Sequence, residues 1–269
     1  MSDPAVNRAR TEGAAVVRDP DFYLESLIFK AGCTVFKVPL YVLPKEEGIF
    51  SAMFDLPNGN GEGLNEDNPV CLPAEVTAED FRCFLKARVI MPDITRPTKL
   101  TITEWMSVIK LANMWCLEEP RAQAIAAADK LLSAYPTHTR AVCYISFGKK
   151  YHVSRWLLKG YEALGTRDTY LSSHERQTLG AETSLRISEL REMSWAWARK
   201  QRPPSMIMVR PYQPLSPARR PIEVGIEDCA CNSRAKFDFK SSIHTLFADE
   251  LRLDSSYAAP AVASPQRPT

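Results

Sequence analysis

The pattern that most constrains the fold lies in the first fifth of the chain. Residues 25–32 and 34–38 are two short runs rich in β-branched and aromatic residues, and a glycine-containing turn separates them. This pattern predicts a β-hairpin. Over residues 40–54 the apolar side chains recur at helical spacing, with breaks near Pro44 and Gly48. A hairpin that leads directly into helices, without a catalytic constellation, indicates a module that binds another protein.

Composition excludes several classes of function. The chain has 269 residues, of which 45% are hydrophobic and 25% are charged, as in ordinary globular proteins. A formal net charge of only +2 argues against attraction of the whole surface to nucleic acid or to an anionic membrane. The sequence contains neither a secretory leader nor an apolar run of about 18 residues. The seven cysteines lack the spacing of a disulfide framework. We therefore expect an intracellular protein, cytoplasmic or nuclear, without a membrane partner.

Helix signals fill the middle of the chain. The Gly- and Asn-rich run 57–69 predicts an exposed loop, and residues 70–72 predict a short strand. Thr77 and Asp80 have the spacing of a capping box at the start of a helix. The periodicity of apolar residues predicts further helices, with Ser154 as the N-cap of one and Ser172 and Glu175 as the capping box of another. Their ranges are 103–115, 121–133, 139–151, 154–164, 172–179 and 181–200.

The last part of the chain has a different composition. Residues 201–241 are rich in proline and arginine, which predicts an extended, disordered linker. The apolar spacing over 242–253 predicts one short amphipathic helix. The sequence leaves open whether this helix docks on the body of the protein or captures a partner.

We expect neither an enzyme nor a cofactor or metal site. The sequence has no nucleophile motif and no metalloprotease motif, and its glycines lack the order of a phosphate-binding loop. Cys229, Cys231 and His244 suggest half of a zinc site, but one residue between paired cysteines is too short for the usual zinc chelate. Exposed thiols are the preferred interpretation.

Several segments, taken in order, resemble a known family. They are residues 36–43 (FKVPLYVL), 49–54 (IFSAMF), 70–72 (VCL), 80–85 (DFRCFL) and 108–115 (VIKLANMW). Together they are similar to a BTB/POZ domain of the fungal type over about residues 20–135. The phrase KGYEAL at 159–164 also recurs in that set. The order of these segments carries the resemblance, because each is mostly a packing motif.

The resemblance implies an α+β fold, with a small three-stranded sheet flanked by a helical cluster. The resemblance extends more loosely to an all-α extension at 136–200, while composition predicts a flexible arm at 1–19 and a tail at 201–269. Members of the family are often symmetric homodimers that serve as scaffolds or adaptors. Some recruit cullin-type ubiquitin ligases and others recruit transcriptional co-repressors, so both remain alternatives to a homodimeric scaffold.

The chain departs from the animal members of this family at two places. Pro39-Leu40 replaces the usual His-Lys pair, and residues 86–90 replace an expected Leu-Tyr phrase. The first change puts the co-repressor pocket in doubt, and the second puts a standard cullin contact in doubt.

Three sets of residues are candidate interaction sites. The family's dimer surface maps to Phe22, Tyr23, Leu24, Leu40, Tyr41 and Phe50. An adaptor surface maps to Asp55 and Leu56. A nuclear import signal is predicted at Arg199, Lys200, Arg202, Arg219 and Arg220. Direct binding of nucleic acid is not expected, because no zinc-finger or basic-zipper pattern is present.

Overall fold

The computed structural model describes residues 17–19, 23–45, 47–55, 61–88, 99–201 and 234–259. The chain divides into two compact units, Met1–Ala124 (unit 1) and Ile125–Thr269 (unit 2). The division falls inside a helix, earlier in the chain than the end of the predicted first domain at residue 135.

The described residues form an α+β structure. The strands are β1 (Ser26–Ala31), β2 (Thr34–Pro39) and β3 (Val70–Cys71), and a short 3-10 helix covers Leu40–Val42. The helices are α1 (Gly48–Asp55), α2 (Ala78–Arg88), α3 (Ile102–Met114), α4 (Glu118–Ser133), α5 (Thr137–Tyr151), α6 (Ser154–Thr166), α7 (Ser173–Leu179), α8 (Ala181–Lys200), α9 (Phe239–Leu246) and α10 (Ala248–Leu251).

The predicted hairpin is confirmed and forms most of the sheet. β1 and β2 pair antiparallel, from Ser26 opposite Pro39 to Ala31 opposite Thr34. β3 pairs with β1 in parallel, so the strand order is β2-β1-β3. The central strand β1 is buried along most of its length, as expected for a strand with a neighbour on each side.

An aromatic cluster forms the core of unit 1. The rings of Phe50 and Phe84 both lie edge-on to Trp115, with centroid distances of 5.4 and 5.3 Å. Phe81 links this group to the sheet through Phe29, at 5.4 Å. Such tilted and edge-to-face contacts add to the energy of apolar burial. The cluster therefore holds α1, α2 and the end of α3 against β1.

Gly48 lets α1 approach the end of α3. Its φ is +56°, a region that L side chains rarely adopt. A Cβ atom placed there would lie 2.0 Å from the carbonyl oxygen of Trp115. The close contact is part of the fold, because the next amide, Ile49 N, donates a hydrogen bond to that same oxygen at 3.3 Å.

Both predicted capping boxes are confirmed. Asp80 N donates to Thr77 Oγ1 at 3.1 Å, and Thr77 N donates back to the Asp80 carboxylate at 3.4 Å. Ser172 and Glu175 form the same reciprocal pair at the start of α7. A third box, formed by Thr101 and Glu104, caps α3, which begins at Ile102, one residue before the predicted start at Thr103.

In unit 2, α5 and α6 pack closely because glycine occupies a contact position. A Cβ atom on Gly160 would lie 2.5 Å from Ile145 Cγ1 and 2.9 Å from the Ala141 carbonyl oxygen. Around this pair, buried apolar residues from α5 to α10 form one core. The helix predicted over 242–253 is part of it, but it is two helices, α9 and α10, which meet at Phe247. The prediction of a disordered linker over 201–241 is wrong at its end, because α9 begins at Phe239, whose buried ring belongs to this core.

The prediction that Ser154 caps α6 is wrong. The N-cap position is Val153, whose side chain makes no capping hydrogen bond. Ser154 is the first residue of the helix and is buried, and its amide N–H donates instead to Asp254 at 2.8 Å. The helix start is thus capped by a residue 100 positions later in the chain.

No helix among the described residues is long and apolar enough to cross a membrane.

Candidate protein-interaction surface

The open end of the hairpin brings together residues that are distant in sequence. The antiparallel pairing continues beyond the strands, since Leu40 N donates to the Glu25 carbonyl oxygen at 2.9 Å. Tyr23 and Leu24, which precede β1, therefore lie at the same end of the hairpin as Tyr41, which follows β2. We call Tyr23, Leu24 and Tyr41 the hairpin-end patch.

All three side chains of the hairpin-end patch are exposed. Their relative exposures are 53%, 59% and 61%, respectively, in the isolated chain. The guanidinium of Arg18 lies 4.6 Å from the centroid of the Tyr23 ring, a cation-π contact that orients this ring. Large apolar side chains grouped at one surface position are typical of protein-protein contacts. Leu40, beside them, is half-buried.

Phe50 does not belong to this surface. Its side chain is 3% exposed and packs between Phe84 and Trp115 in the aromatic cluster. We therefore assign Phe50 to the core and remove it from the predicted contact residues. Phe22, the remaining member of the predicted set, lies outside the described residues.

Among the described side chains of α1, Ile49 is an exposed apolar one that was not among the predicted contact residues. Its side chain is 51% exposed, whereas that of its neighbour Phe50 is buried. Successive helix residues point about 100° apart, so their burial can differ. The sequence did not indicate which of these two large apolar residues would face the core.

The other predicted surfaces are only partly described. Arg199 and Lys200 are exposed in the last turn of α8, where cations favour the helix dipole. The rest of the predicted import signal, Arg202, Arg219 and Arg220, lies outside the described residues. So do the side chain of Asp55 and the whole of Leu56, which formed the predicted adaptor surface. Both surfaces stay predictions.

A small acidic cluster on unit 1 contains Glu79, Cys83 and Glu104, whose ligand atoms lie within 4.8 Å of one another. Burial, together with the charges of the two carboxylates, raises the pKa of the Cys83 thiol to about 11. The thiol is therefore protonated at neutral pH and donates to Glu79. Arg82 and Lys86 pair with Glu79 and Glu104. The carboxylates thus already have cationic partners from the chain, and we do not infer a metal site.

His244, the third possible ligand of the discounted zinc site, has a different partner. Its Nδ1 lies 2.5 Å from the hydroxyl of Tyr257, and the two rings stack with centroids 5.7 Å apart. Cys229 and Cys231 lie outside the described residues. The described histidine thus has a structural role, linking α9 to the residues after α10.

Comparisons with protein-family models, with curated proteins and with solved structures gave no match for this chain. The resemblance to BTB/POZ domains stays a prediction that rests on the order of the sequence motifs.

Proposed function

We propose that this protein is a non-catalytic protein-interaction module that forms a homodimer through the hairpin-end patch. The observation that carries this proposal is the grouping of Tyr23, Leu24 and Tyr41, each more than half exposed, at one end of the hairpin. Tyrosine is enriched at interfaces because it combines a large apolar ring with a hydroxyl that tolerates water.

The size of the patch sets the strength of the expected dimer. Full burial of a large apolar side chain contributes about 1.5–3 kcal/mol. In a two-fold symmetric dimer each patch residue is buried twice, once on each partner. Six half-exposed side chains then contribute about 5–10 kcal/mol. Association itself costs about 4–15 kcal/mol. The patch supports a weak or moderate dimer, in which the surrounding surface also contributes.

The proposed family assignment agrees with this role. We assign unit 1 to the BTB/POZ fold, in which a three-stranded sheet packs against helices and the N-terminal half pairs with a second copy. In support, the observed sheet has three strands. The motif segment DFRCFL lies within α2, and VIKLANMW covers the second half of α3 and the residue that follows it. The scaffold or adaptor role then follows from the resemblance, and the partner is a protein.

The test is the solution mass of the full chain, measured by light scattering over a dilution series. We compare the unmodified protein with a double variant, Leu24→Glu and Tyr41→Glu, and with the matched control Tyr170→Glu. Tyr170 is 85% exposed and belongs to unit 2, whereas the hairpin belongs to unit 1. Because the changed side chains are exposed, folding should be retained, and far-UV circular dichroism checks this.

We expect twice the monomer mass for the unmodified protein and for Tyr170→Glu at high concentration, falling towards the monomer mass on dilution. The double variant should be a folded monomer throughout. A monomeric unmodified protein at every concentration, or a double variant that remains dimeric, would refute the proposal.

A further inference from the structure

The C-terminal segment (residues 234–257) attaches to the rest of unit 2 through its side chains. The backbone hydrogen bonds within its own helical turns include Phe247 N to Ile243 O and Leu251 N to Phe247 O, both at 3.0 Å. The segment therefore satisfies its own backbone, as a helical peptide does, and uses side chains to bind.

An apolar stripe faces the groove between α6 and α8. Phe239, Ile243, Phe247 and Leu251 recur every four residues and are at most 7% exposed. The ring of Phe247 stacks on Tyr161 of α6, with centroids 3.7 Å apart. This spacing is the anchor pattern of an amphipathic helix that binds in a groove.

Arg234 fixes the first end of the segment at the C-terminus of α6. Its guanidinium donates to the carbonyl oxygens of Gly165 and Thr166, at 2.5 and 3.0 Å. It also pairs with Asp168 at 2.7 Å and lies 4.7 Å from the ring centroid of Trp195. A cation placed on the last carbonyls of a helix satisfies unpaired acceptors and interacts favourably with the helix dipole.

Asp254 fixes the other end of the segment at the N-terminus of α6. Its Oδ2 accepts hydrogen bonds from the backbone N–H and from the hydroxyl of Ser154, both at 2.8 Å. The segment thus runs antiparallel to α6 and supplies the charge of the correct sign at each of its ends. Two fixed ends set the register in which the apolar stripe binds.

A polar group between the two ends adds specificity. Glu250 accepts from Tyr161 and pairs with Lys149 at 2.8 Å. Its neighbour Asp249 pairs with Arg186 of α8 at 2.9 Å. Lys149 and Arg186 thus form a basic lining of the groove opposite the acidic residues of α10. A peptide without acidic residues at the positions of Asp249 and Glu250 would not make these two ion pairs.

We propose that the groove between α6 and α8 is a binding site for an amphipathic helical peptide with an acidic C-terminal half, and that residues 234–257 are its resident, exchangeable ligand. Residues 202–233 join this ligand to the end of α8. Arg234 contacts Trp195, which lies only roughly 8 Å before the end of α8 along its axis. The connection is therefore much longer than the distance it has to span.

Because the resident ligand belongs to the same chain, its binding is intramolecular and competes with the binding of any second peptide. A second peptide with the same pattern is then excluded until the resident one is weakened. The resident ligand thus keeps other peptides from the groove. The groove belongs to unit 2 and the hairpin-end patch to unit 1, so the two proposals do not depend on each other.

The experiment measures binding of a fluorescein-labelled synthetic peptide, residues 234–257, to three full-length proteins by fluorescence anisotropy. The first is the unmodified chain. The second carries Phe247→Ala and Asp254→Ala, which weaken the resident segment and leave the groove unchanged. The third is the control Leu253→Ala, a change in the same segment at a side chain that is 60% exposed. A labelled peptide with the two alanine changes tests the specificity of binding.

We expect the peptide to bind the double variant at least tenfold more tightly than it binds the unmodified chain or Leu253→Ala. The altered peptide should not bind. If the double variant is folded and does not bind the peptide, the proposal is wrong. If the double variant is unfolded and the peptide fails to restore its circular dichroism, the segment is an integral part of the core and the proposal is also wrong. Restoration of folding by the peptide would support it.

Discussion

Asp254→Ala should destabilise unit 2 more than a surface substitution does, because it uncaps α6 across the tertiary structure. The carboxylate is 5% exposed and accepts two hydrogen bonds from Ser154. Loss of an N-cap costs about 0.5–2 kcal/mol. The buried N–H and hydroxyl of Ser154 then lack this acceptor. The missing hydrogen bonds cost about 1–3 kcal/mol more. Because both costs include the loss of the acceptor for the Ser154 N–H, they overlap in part, and we expect a total of about 2–4 kcal/mol.

The assay is urea unfolding of the full chain, followed by far-UV circular dichroism. With a slope of about 2 kcal/mol per molar urea, the unfolding midpoint of unit 2 should fall by about 1–2 M. Hydrogen exchange of peptides from residues 154–166 should show faster exchange in the first turn of α6. The matched control is Asp249→Ala in the same segment. Asp249 is 60% exposed in its pair with Arg186, so its loss should cost at most about 1 kcal/mol.

The effect of Asp254→Ala should also depend on pH. Burial acts to raise the pKa of Asp254, but the hydrogen bonds from Ser256 and Ser154 outweigh it, so the pKa lies below its ordinary value of 3.8. The stabilisation is thus present above pH 3.8 and is lost as the pH falls through the lower pKa of the folded state. The difference between the two proteins should narrow on acidification below that pH. Equal midpoints at pH 7, or a difference independent of pH, would refute the reasoning.

Two further predictions concern unit 1. Gly48→Ala should destabilise the protein by about 2–5 kcal/mol in thermal or urea unfolding, because it combines a positive φ with a clash against backbone. Gly32→Ala, at the same φ of +56° but with open space around it, should cost only about 1–2 kcal/mol; similar losses for both variants would contradict the role of the clash. Cys83, buried and with its pKa raised to about 11, should react with iodoacetamide at pH 8 at least tenfold more slowly than exposed Cys33, as measured by peptide mass spectrometry. Equal labelling rates would show that the thiol is accessible and ionised.

Local sequence patterns predicted most helices and the hairpin, since the signals lie within a few residues. Thr77 with Asp80 and Ser172 with Glu175 are examples, because a capping box needs only a spacing of three residues. The hairpin followed from two β-rich runs and one turn. All three residues of the hairpin-end patch were among the predicted contact residues, because the resemblance maps the family's dimer surface to Tyr23, Leu24 and Tyr41.

The amino-acid sequence by itself determined the type and approximate limits of these elements, whose energies come from contacts between near neighbours. Only the tertiary structure decided which apolar side chains are buried: Phe50 enters the aromatic cluster and Ile49 stays exposed, although both are large apolar residues at the start of α1. It also decided that Asp254 caps α6, because a hydrogen bond between residues 100 positions apart requires the chain to fold back on itself. No spacing rule along the chain encodes such a contact.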